Sequence, residues 1–497
     1  MITYEKEKLP IPILEGHEDW IELYYLAWET AFKNIEYIDK PGWKTQLSCM
    51  PGVGITWLWD SCFMTFITNY SNNTLSAFHN LDNIYRLQRK TDGFISMAYR
   101  AKTDSEAYPG GRINPPIAAW AEWQHYLVTG DTSRLPSVIR VLEDFYNYIE
   151  HTHRRCCGLY WFEDPGSSGM DNSPRGGYAA QHLDGSDVCH IDLACQQALS
   201  AACIASIYSV LGNDEKVQFY MQEHTRICKL INRYHWSDKV GYYFDFFARS
   251  SASDKVKLIN SKTAAAFWTL LCGCADKDQA KKVIEHLMNE NEFYTPTPFC
   301  SLSKDDLNYD ATGGYWLGGV WAPTNYVAIR GLTQNGYYSL AREAAQKYLV
   351  AMSSVANNPN YGGIWEAYSP ESVQPSTTET GELVRENFVG WSGLAPITLL
   401  IETIIGLSLN APSNSITLQL SHEKHCGIRN LLFNGHSISV EYQWHQQDGK
   451  DCFAISVKTE QPFLLILKNR DSNEDIQISV PIGINTYQIG QSNFLRV

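Results

Sequence analysis

Twelve helical stretches, mostly in consecutive pairs, followed by a run of alternating strands, predict a mainly α chain: an (α/α)6 toroid over residues 1–410 and a small β-sandwich over 411–497. Three observations carry this. Apolar residues recur at helical spacing through the first four hundred positions. Short loops join helices within a pair while long loops separate several pairs. Beyond Ala411-Pro412 the periodicity changes from 3.6 to 2. With 497 residues and 44% hydrophobic side chains the chain is long enough to bury a large interior.

The first helix starts near His17, with Ile21, Tyr25, Trp28, Phe32 and Ile35 forming one stripe. The second and third are expected at 57–70 and 74–89. The fourth opens at Pro115-Pro116, since proline suits a first helical turn. The fifth runs over 133–153, with Leu135, Val138, Leu142, Phe145 and Ile149 on one face. Further pairs are read at 190–211 with 214–234, 260–274 with 276–289, and 319–332 with 337–353, and a last helix at 388–407. Past residue 411, Ile416-Thr-Leu-Gln-Leu420, Ile438-Ser-Val-Glu-Tyr442, Phe453-Ala-Ile-Ser-Val457 and Ile476-Gln-Ile-Ser-Val480 alternate apolar and polar, the mark of strands with one buried face. Asn434-Gly435 and Asp448-Gly449 supply hairpin turns.

A formal charge of −14 without basic clusters argues against a nucleic-acid partner. The N-terminus shows no apolar run behind a basic start, and no stretch is read as long and apolar enough to span a bilayer. Thirteen scattered cysteines, with Cys272-Gly-Cys274 lacking a second pair, read as core thiols in a reducing compartment rather than as zinc ligands. The expectation is therefore a cytoplasmic protein with neither metal nor cofactor and no membrane partner. Oligomeric state is not legible.

The chemistry gathers in loops. Gly166-Ser-Ser-Gly-Met-Asp-Asn-Ser-Pro-Arg175 frames one carboxylate, Asp171, between glycines and a proline, inside an unusually long loop. The same residues also make an ordinary turn, with Asp171 and Asn172 bonding their own backbone. Four clusters share the texture: Trp57-Leu-Trp-Asp60, Arg112-Ile-Asn-Pro-Pro116, the glycine-rich run from Gly313 to Pro323, and Gly362-Gly-Ile-Trp-Glu-Ala-Tyr368. Carboxylates beside Trp and Tyr have the composition of a carbohydrate site, because aromatic faces cover sugar C–H groups while Asp, Asn and Arg bond the hydroxyls. For any one Trp a core role is the simpler reading. Glycoside hydrolysis needs two carboxyls, one protonated and one ionised. Asp171 suits the first role and Glu366 the second, while Glu379, Glu382 and Glu386 lie in a charged, Ser/Thr-rich stretch read as solvated.

On these motifs the chain resembles the trehalase-like six-hairpin glycosidases, and most closely glycoside hydrolase family 63 and its mannosylglycerate-hydrolase-like branch. Ser168-Gly-Met-Asp-Asn-Ser-Pro-Arg175 resembles that family's general-acid motif, and Trp365-Glu-Ala-Tyr-Ser-Pro-Glu371 its base segment. Phe388-Val-Gly-Trp-Ser392 is similar to the signature opening the last barrel helix. Trp59-Asp60 and Asn114-Pro-Pro116 match pocket segments, and Gly314-Tyr-Trp-Leu-Gly-Gly-Val-Trp321 another. Leu317 stands where the family commonly has Arg, and Gly319 where it has Pro, which puts in doubt a carboxylate-bearing aglycone such as glycerate.

The resemblance implies an inverting exo-glycosidase acting on an α-linked disaccharide, short oligosaccharide or small glycoside. Asp171 is then the acid and Glu366 the base, in a pair about 6.5–9.5 Å apart. Substrate contacts are expected from Trp57, Trp59, Asp60, Asn114, Arg175, Tyr315, Trp316, Trp321, Trp365 and Trp391. Asp171 is expected to be partly desolvated, and Glu366 ionised and more open to solvent. Two alternatives stand beside this: a sugar epimerase using loop histidines such as His182 and His190, and a non-catalytic carbohydrate-binding protein.

Overall fold

The computed structural model describes residues 2–175, 187–252, 256–447, 449–468, 475–490 and 493–496. Its helices fall close to the expected positions: α1 (Glu18–Lys33), α2 (Leu58–Thr68), α3 (Phe78–Arg86), α4 (Ala118–Thr129), α5 (Leu135–Thr152) and α6 (Ile191–Val210). They continue with α7 (Asp214–Tyr234), α8 (Trp268–Leu271, entered through a 3-10 turn, Ala264–Phe267), α9 (Lys277–Leu287), α10 (Ala322–Gln334) and α11 (Tyr338–Ala356). A final apolar helix, Ala395–Ile405, is wound as a π-helix behind a short 3-10 turn, Ser392–Leu394.

Local signals explain several ends. Asn213 caps α7 by accepting from Lys216 N, and Asp276 with Gln279 closes a capping box on α9. One face was misplaced. In α1 the buried residues are Trp20, Leu23, Tyr24, Ala27, Trp28, Thr30, Ala31 and Phe32, so Trp28 and Phe32 of the expected stripe are buried, whereas Ile21 and Tyr25 are only half-buried. The buried face is rotated because α1 packs against both α11 and the last helix.

Packing is ordered. α2 packs on α4, α4 on α6, α6 on α8, α8 on α10, and α10 on the terminal helical segment, which returns to α2. The intervening helices lie against these: α3 on α2, α5 on α6, α7 on α6, α9 on α8, and α11 on α10. Contrary to the sequence reading, α6 is by length and composition apolar enough to cross a membrane. Here its sides are covered by α4, α5, α7 and α8, which explains why it is apolar all round.

Two sheets follow. One runs β1 (Ile11–Leu14), β4 (His425–Phe433), β5 (His436–Gln447), β6 (Lys450–Thr459), β9 (Gly483–Gly490) and β10 (Asn493–Arg496). The other runs β2 (Leu407–Asn410), β3 (Ser415–Gln419), β7 (Phe463–Lys468) and β8 (Ile476–Val480), with β3 and β7 parallel. Strand structure thus begins at Leu407, ahead of the expected boundary, and the N-terminal segment contributes an edge strand. The Asn434-Gly435 turn joins β4 to β5; Asp448 of the second expected turn lies outside the described residues.

One buried ion cluster links the long loop after α5 to the helices. Arg175 donates from Nη1 and Nη2 to the two Asp192 carboxylate oxygens, both at 2.6 Å, and from Nε and Nη2 to Asp245 at 2.8 and 3.0 Å. Asp192 lies in the first turn of α6, and Asp245 also accepts from Ile191 N at 2.8 Å. All three side chains are at most 5% exposed. Removing the cation leaves two carboxylates buried together, so Arg175→Met is expected to cost about 3–5 kcal/mol in urea unfolding, whereas Arg154→Met, at an exposed pair, should cost under about 1 kcal/mol.

Candidate active site

The residues singled out in the loops converge just ahead of, or within the first turn of, the helices that pack in sequence. Trp57 ends a short strand (Ile55–Trp57) from which α2 begins, so Trp59 and Asp60 occupy its first turn. Asn114 precedes α4, Asp171 lies in the loop before α6, Tyr315 and Trp316 precede α10, and Glu366 and Trp391 precede the terminal helix. All of these line one cavity of about 530 Å³, together with Met50, Met97, Tyr108, Arg112, Asp164 and Arg385. A second, outer chamber of about 860 Å³ shares Asp171, Tyr315, Glu366 and Arg385 with it. Asn172, Leu317, Thr378, Glu379 and Glu382 form the outer walls.

The Asp171 loop is held at three places. At its entrance, Asn114 accepts from Trp59 N (3.1 Å) and donates to the Ser167 carbonyl (3.3 Å), and Asp164 caps a 3-10 turn by accepting from Ser167 N (2.9 Å). Beside the carboxylate, Asn172 donates to the Gly314 carbonyl (2.9 Å) and accepts from Trp316 N (2.8 Å). At the exit stands Arg175. These bonds leave Asp171 itself exposed to the cavity.

Glu366 is fixed by different means. Its N–H bonds to the Arg385 carbonyl (2.9 Å), and its own carbonyl accepts from Trp391 Nε1 (2.9 Å) and Ser392 Oγ (3.2 Å). Its side chain accepts from Arg385 N (3.3 Å) and from the Tyr315 hydroxyl (3.5 Å). Tyr315 adopts φ +65, a left-handed conformation costly for a bulky residue. The conformation places its ring at the junction of the two cavities. Gly319 allows the turn behind it, for a Cβ there would stand 2.3 Å from the Tyr315 carbonyl oxygen.

Of the four carboxyls that line the inner cavity, Asp60, Asp171 and Glu366 are each pushed up to about 7. Desolvation is the main cause for Asp171, with Glu366, Asp164 and Glu379 adding repulsion. Burial likewise dominates for Glu366, opposed by the Arg385 N–H and charge, with Asp60 adding and the Tyr315 hydroxyl opposing. Asp60 is raised by burial and by Asp171, against a hydrogen bond from the Cys49 thiol. The expectation for Glu366 is overturned, for it is buried, 5% exposed; Asp171 has the more accessible surface, yet it is desolvated within the cavity as expected. Long-range pairing of the 365–368 and 384–388 segments covers Glu366, and no local pattern announces it.

Several expected contacts are braces. Arg175 does not line the cavity; both carboxylates of its cluster occupy it, so the substrate role gives way to anchoring the loop. Trp321 is fully buried, stacked on Trp316 at 4.2 Å and edge-on to Tyr315 and Trp391. It backs the rings that do line the site. Trp365 also stands outside the lining, its Nε1 donating to the Gly362 carbonyl at 2.7 Å. Asn114 reaches the cavity, but both ends of its amide bond backbone. His190 is buried, accepts from Phe162 N at 3.1 Å, and is held down to about 3 by burial; His182 lies outside the described residues. Arg385, Asp164 and Tyr108 were missed. Arg385 alone had a signal, as a cation three residues before Phe388 in an otherwise acidic stretch.

Known proteins share this architecture. The family model for the mannosylglycerate hydrolase MGH1-like glycoside hydrolase domain matches residues 54–382. An uncharacterised protein of Borreliella burgdorferi is 28% identical over 433 residues, covering 85% of this chain and 86% of its own length. A probable mannosyl-oligosaccharide glucosidase of Schizosaccharomyces pombe is 25% identical over 261 residues, 50% of this chain but only 29% of that protein. The chain thus spans under a third of that enzyme. In fold, it is similar to the family 63 mannosylglycerate hydrolase of Thermus thermophilus in complex with glucose (TM-score 0.61, 19% identity, 76% of this chain and 99% of that one). The neutral trehalase Nth1 of Saccharomyces cerevisiae is similar as well (TM-score 0.56, 15% identity, 73% and 76%). Because the family model spans well over half of the chain, including both Asp171 and Glu366, the protein belongs to the mannosylglycerate hydrolase MGH1-like glycoside hydrolases.

Proposed function

We propose that the chain is an inverting exo-glycosidase with the helices arranged as an (α/α)6 toroid, acting on an α-linked disaccharide, short oligosaccharide or small glycoside. One observation carries it. Two carboxyls from different loops, Asp171 and Glu366, meet the same cavity, and the partners that favour an anion are concentrated on Glu366. Glu366 receives the Arg385 N–H and faces the Tyr315 hydroxyl, so it holds the negative charge. Asp171, desolvated and facing three other carboxylates, keeps the proton. In this reading Asp171 protonates the glycosidic oxygen at the junction of the two cavities, while Glu366 takes a proton from water attacking the anomeric carbon from the far side. Trp57, Trp59 and Trp391 form the apolar wall of the sugar's subsite, and Asp60 bonds its hydroxyls. The epimerase alternative loses ground, because no histidine occurs among the described residues lining either cavity. The thirteen cysteines, all unpaired, support a reducing compartment and hence a cytoplasmic location.

The outer chamber bears on the aglycone. Glu379 and Glu382 line it together with Asp171 and Glu366 against one cation, Arg385, and Leu317 is apolar, so a carboxylate there meets more like charge than opposite charge while a neutral polyol meets Thr378, Thr380 and Asn172. We infer a neutral sugar at this position.

Proton NMR of the first product should show the inverted anomer, and Asp171→Asn and Glu366→Gln should each lower kcat by about 10²–10⁴-fold with unchanged circular dichroism. Retained configuration, or near-normal turnover in either variant, refutes the assignment.

The pH profile follows from the raised carboxyls. Below the Glu366 value the base is protonated and above the Asp171 value the acid is lost, so kcat/KM should describe a narrow bell near neutrality. A carboxyl raised in the folded state binds more protons folded than unfolded, so its stabilising share is present at low pH and lost as pH rises through about 7. Asp171→Asn should therefore raise Tm relative to the parent more at pH 8 than at pH 5; an equal difference at both would show that the carboxyl is unperturbed.

With a common glycosyl group, a disaccharide should have at least a roughly tenfold higher kcat/KM than the corresponding glycerate glycoside, and Leu317→Arg should narrow that ratio. A glycerate preference in the parent enzyme would overturn the aglycone assignment.

A further inference from the structure

Away from the cavities, the helical interior holds a second concentration of reactive side chains. Cys195 on α6 and Cys272 and Cys274 just after α8 bring their sulfur atoms within 4.8 Å of one another. All three are buried. Gly273 between the last two has φ +70, and the turn it makes sets both flanking thiols toward one point: each Sγ lies near the Thr269 carbonyl, at 3.9 and 3.8 Å. From the packed neighbour α7 come His224 and Cys228, four residues apart and so on one helix face. Their Nε2 and Sγ are 3.6 Å apart.

The histidine is already oriented. Its Nδ1 lies 3.1 Å from the Ala198 carbonyl, which only accepts, so Nδ1 carries the hydrogen and Nε2 keeps its lone pair on the thiol side. A ring fixed through one nitrogen by a backbone carbonyl is how metal-bound imidazoles are commonly supported. Three thiols gathered at one point become, on losing their protons, the ligands a soft cation binds.

We propose that Cys195, Cys272 and Cys274 bind one thiophilic d10 metal ion, Zn(II) or Cu(I), with α7 supplying a fourth ligand from His224 or Cys228. Each thiol that coordinates releases its proton, and no oxidant or reductant is involved. Zn–S bonds of about 2.3 Å in tetrahedral geometry bring sulfurs to roughly 3.8 Å, a contraction that side-chain rotation supplies. The ion would tie α6, α7 and α8 together, one turn beyond Asp192, where α6 holds Arg175. The inference is independent of the reaction proposed above.

The test uses the full chain, stripped with chelator, reduced, and titrated anaerobically with Co(II) followed by Zn(II), and separately with Cu(I). A near-ultraviolet thiolate-to-cobalt band that saturates at one equivalent and is displaced by Zn(II) supports a zinc site; stoichiometric binding of Cu(I) alone supports a copper site. Either ion should raise Tm by several degrees, and Cys272→Ser should abolish the effect while Cys156→Ser, at an exposed thiol, leaves it intact. If Cys272→Ser fails to fold, metal protection of three thiols from alkylation in the parent chain decides. Binding of neither ion near one per chain, or full binding by a Cys195→Ser/Cys272→Ser/Cys274→Ser chain, overturns the proposal.

Discussion

The site depends on a buried guanidinium. Arg175 spends all three of its nitrogens on Asp192 and Asp245, and by doing so fastens the exit of a glycine-rich loop to the start of α6. A buried cation with two buried anions gains little net stability, since desolvation cancels most of the attraction. Its value is positional. A fork of donors in a fixed plane satisfies two carboxylates in only one arrangement, so the loop cannot shift along the helix end without leaving a charge unpaired.

Fixing the loop from outside has a consequence for Asp171. With Asn114 at the entrance, Asn172 alongside and Arg175 at the exit, the loop needs nothing from the Asp171 carboxylate to hold its shape. The group can remain without a cationic partner, and a carboxyl so desolvated, with Glu366, Asp164 and Glu379 nearby, retains its proton to about 7. Glu366 shows the complementary arrangement. It is more deeply buried, yet the Arg385 N–H and Tyr315 hydroxyl favour its anion. Two carboxyls of similar apparent strength are thus distinguished by hydrogen bonding rather than by exposure, which is why exposure alone misassigned their surroundings. The crowding of three acids destabilises the fold locally, a familiar cost where chemistry requires strained electrostatics.

Helix positions were legible because periodicity survives in long segments, and Asp171 and Glu366 stood out because glycines and aromatics framed them. What was illegible is instructive. β1 is a four-residue edge strand containing Pro12, acceptable only because an edge leaves one side unpaired. β4 hides its alternation behind a bulge between Ile428 and Leu431, where Asn430 has positive φ. At the site, Trp321, Trp365 and Arg175 have the same chemistry as the residues that line the cavity. Whether a tryptophan faces a sugar or backs another tryptophan is settled by segments fifty or more residues away, as when Trp321 stacks beneath Trp316 and meets Trp391 edge-on. Composition marks the shell as a whole; it does not sort its layers.

The division into two cavities gives the proposed exo action a physical basis. Asp171, Tyr315, Glu366 and Arg385 stand where the inner cavity meets the outer chamber, so a bond cleaved between the two carboxyls lies at that boundary. Everything on the inner side must fit within walls built from Trp57, Trp59, Trp316 and Trp391, each of them locked by α2, by the stacked Trp321 or by the Glu366 backbone. In the proposed exo action the terminal sugar occupies this side and the aglycone the other. The outer chamber is bounded instead by residues 378–385, largely exposed side chains with few long-range bonds. Discrimination among aglycones should therefore reside in that segment and in Leu317, while the identity of the reacting sugar is written into the rigid aromatic wall.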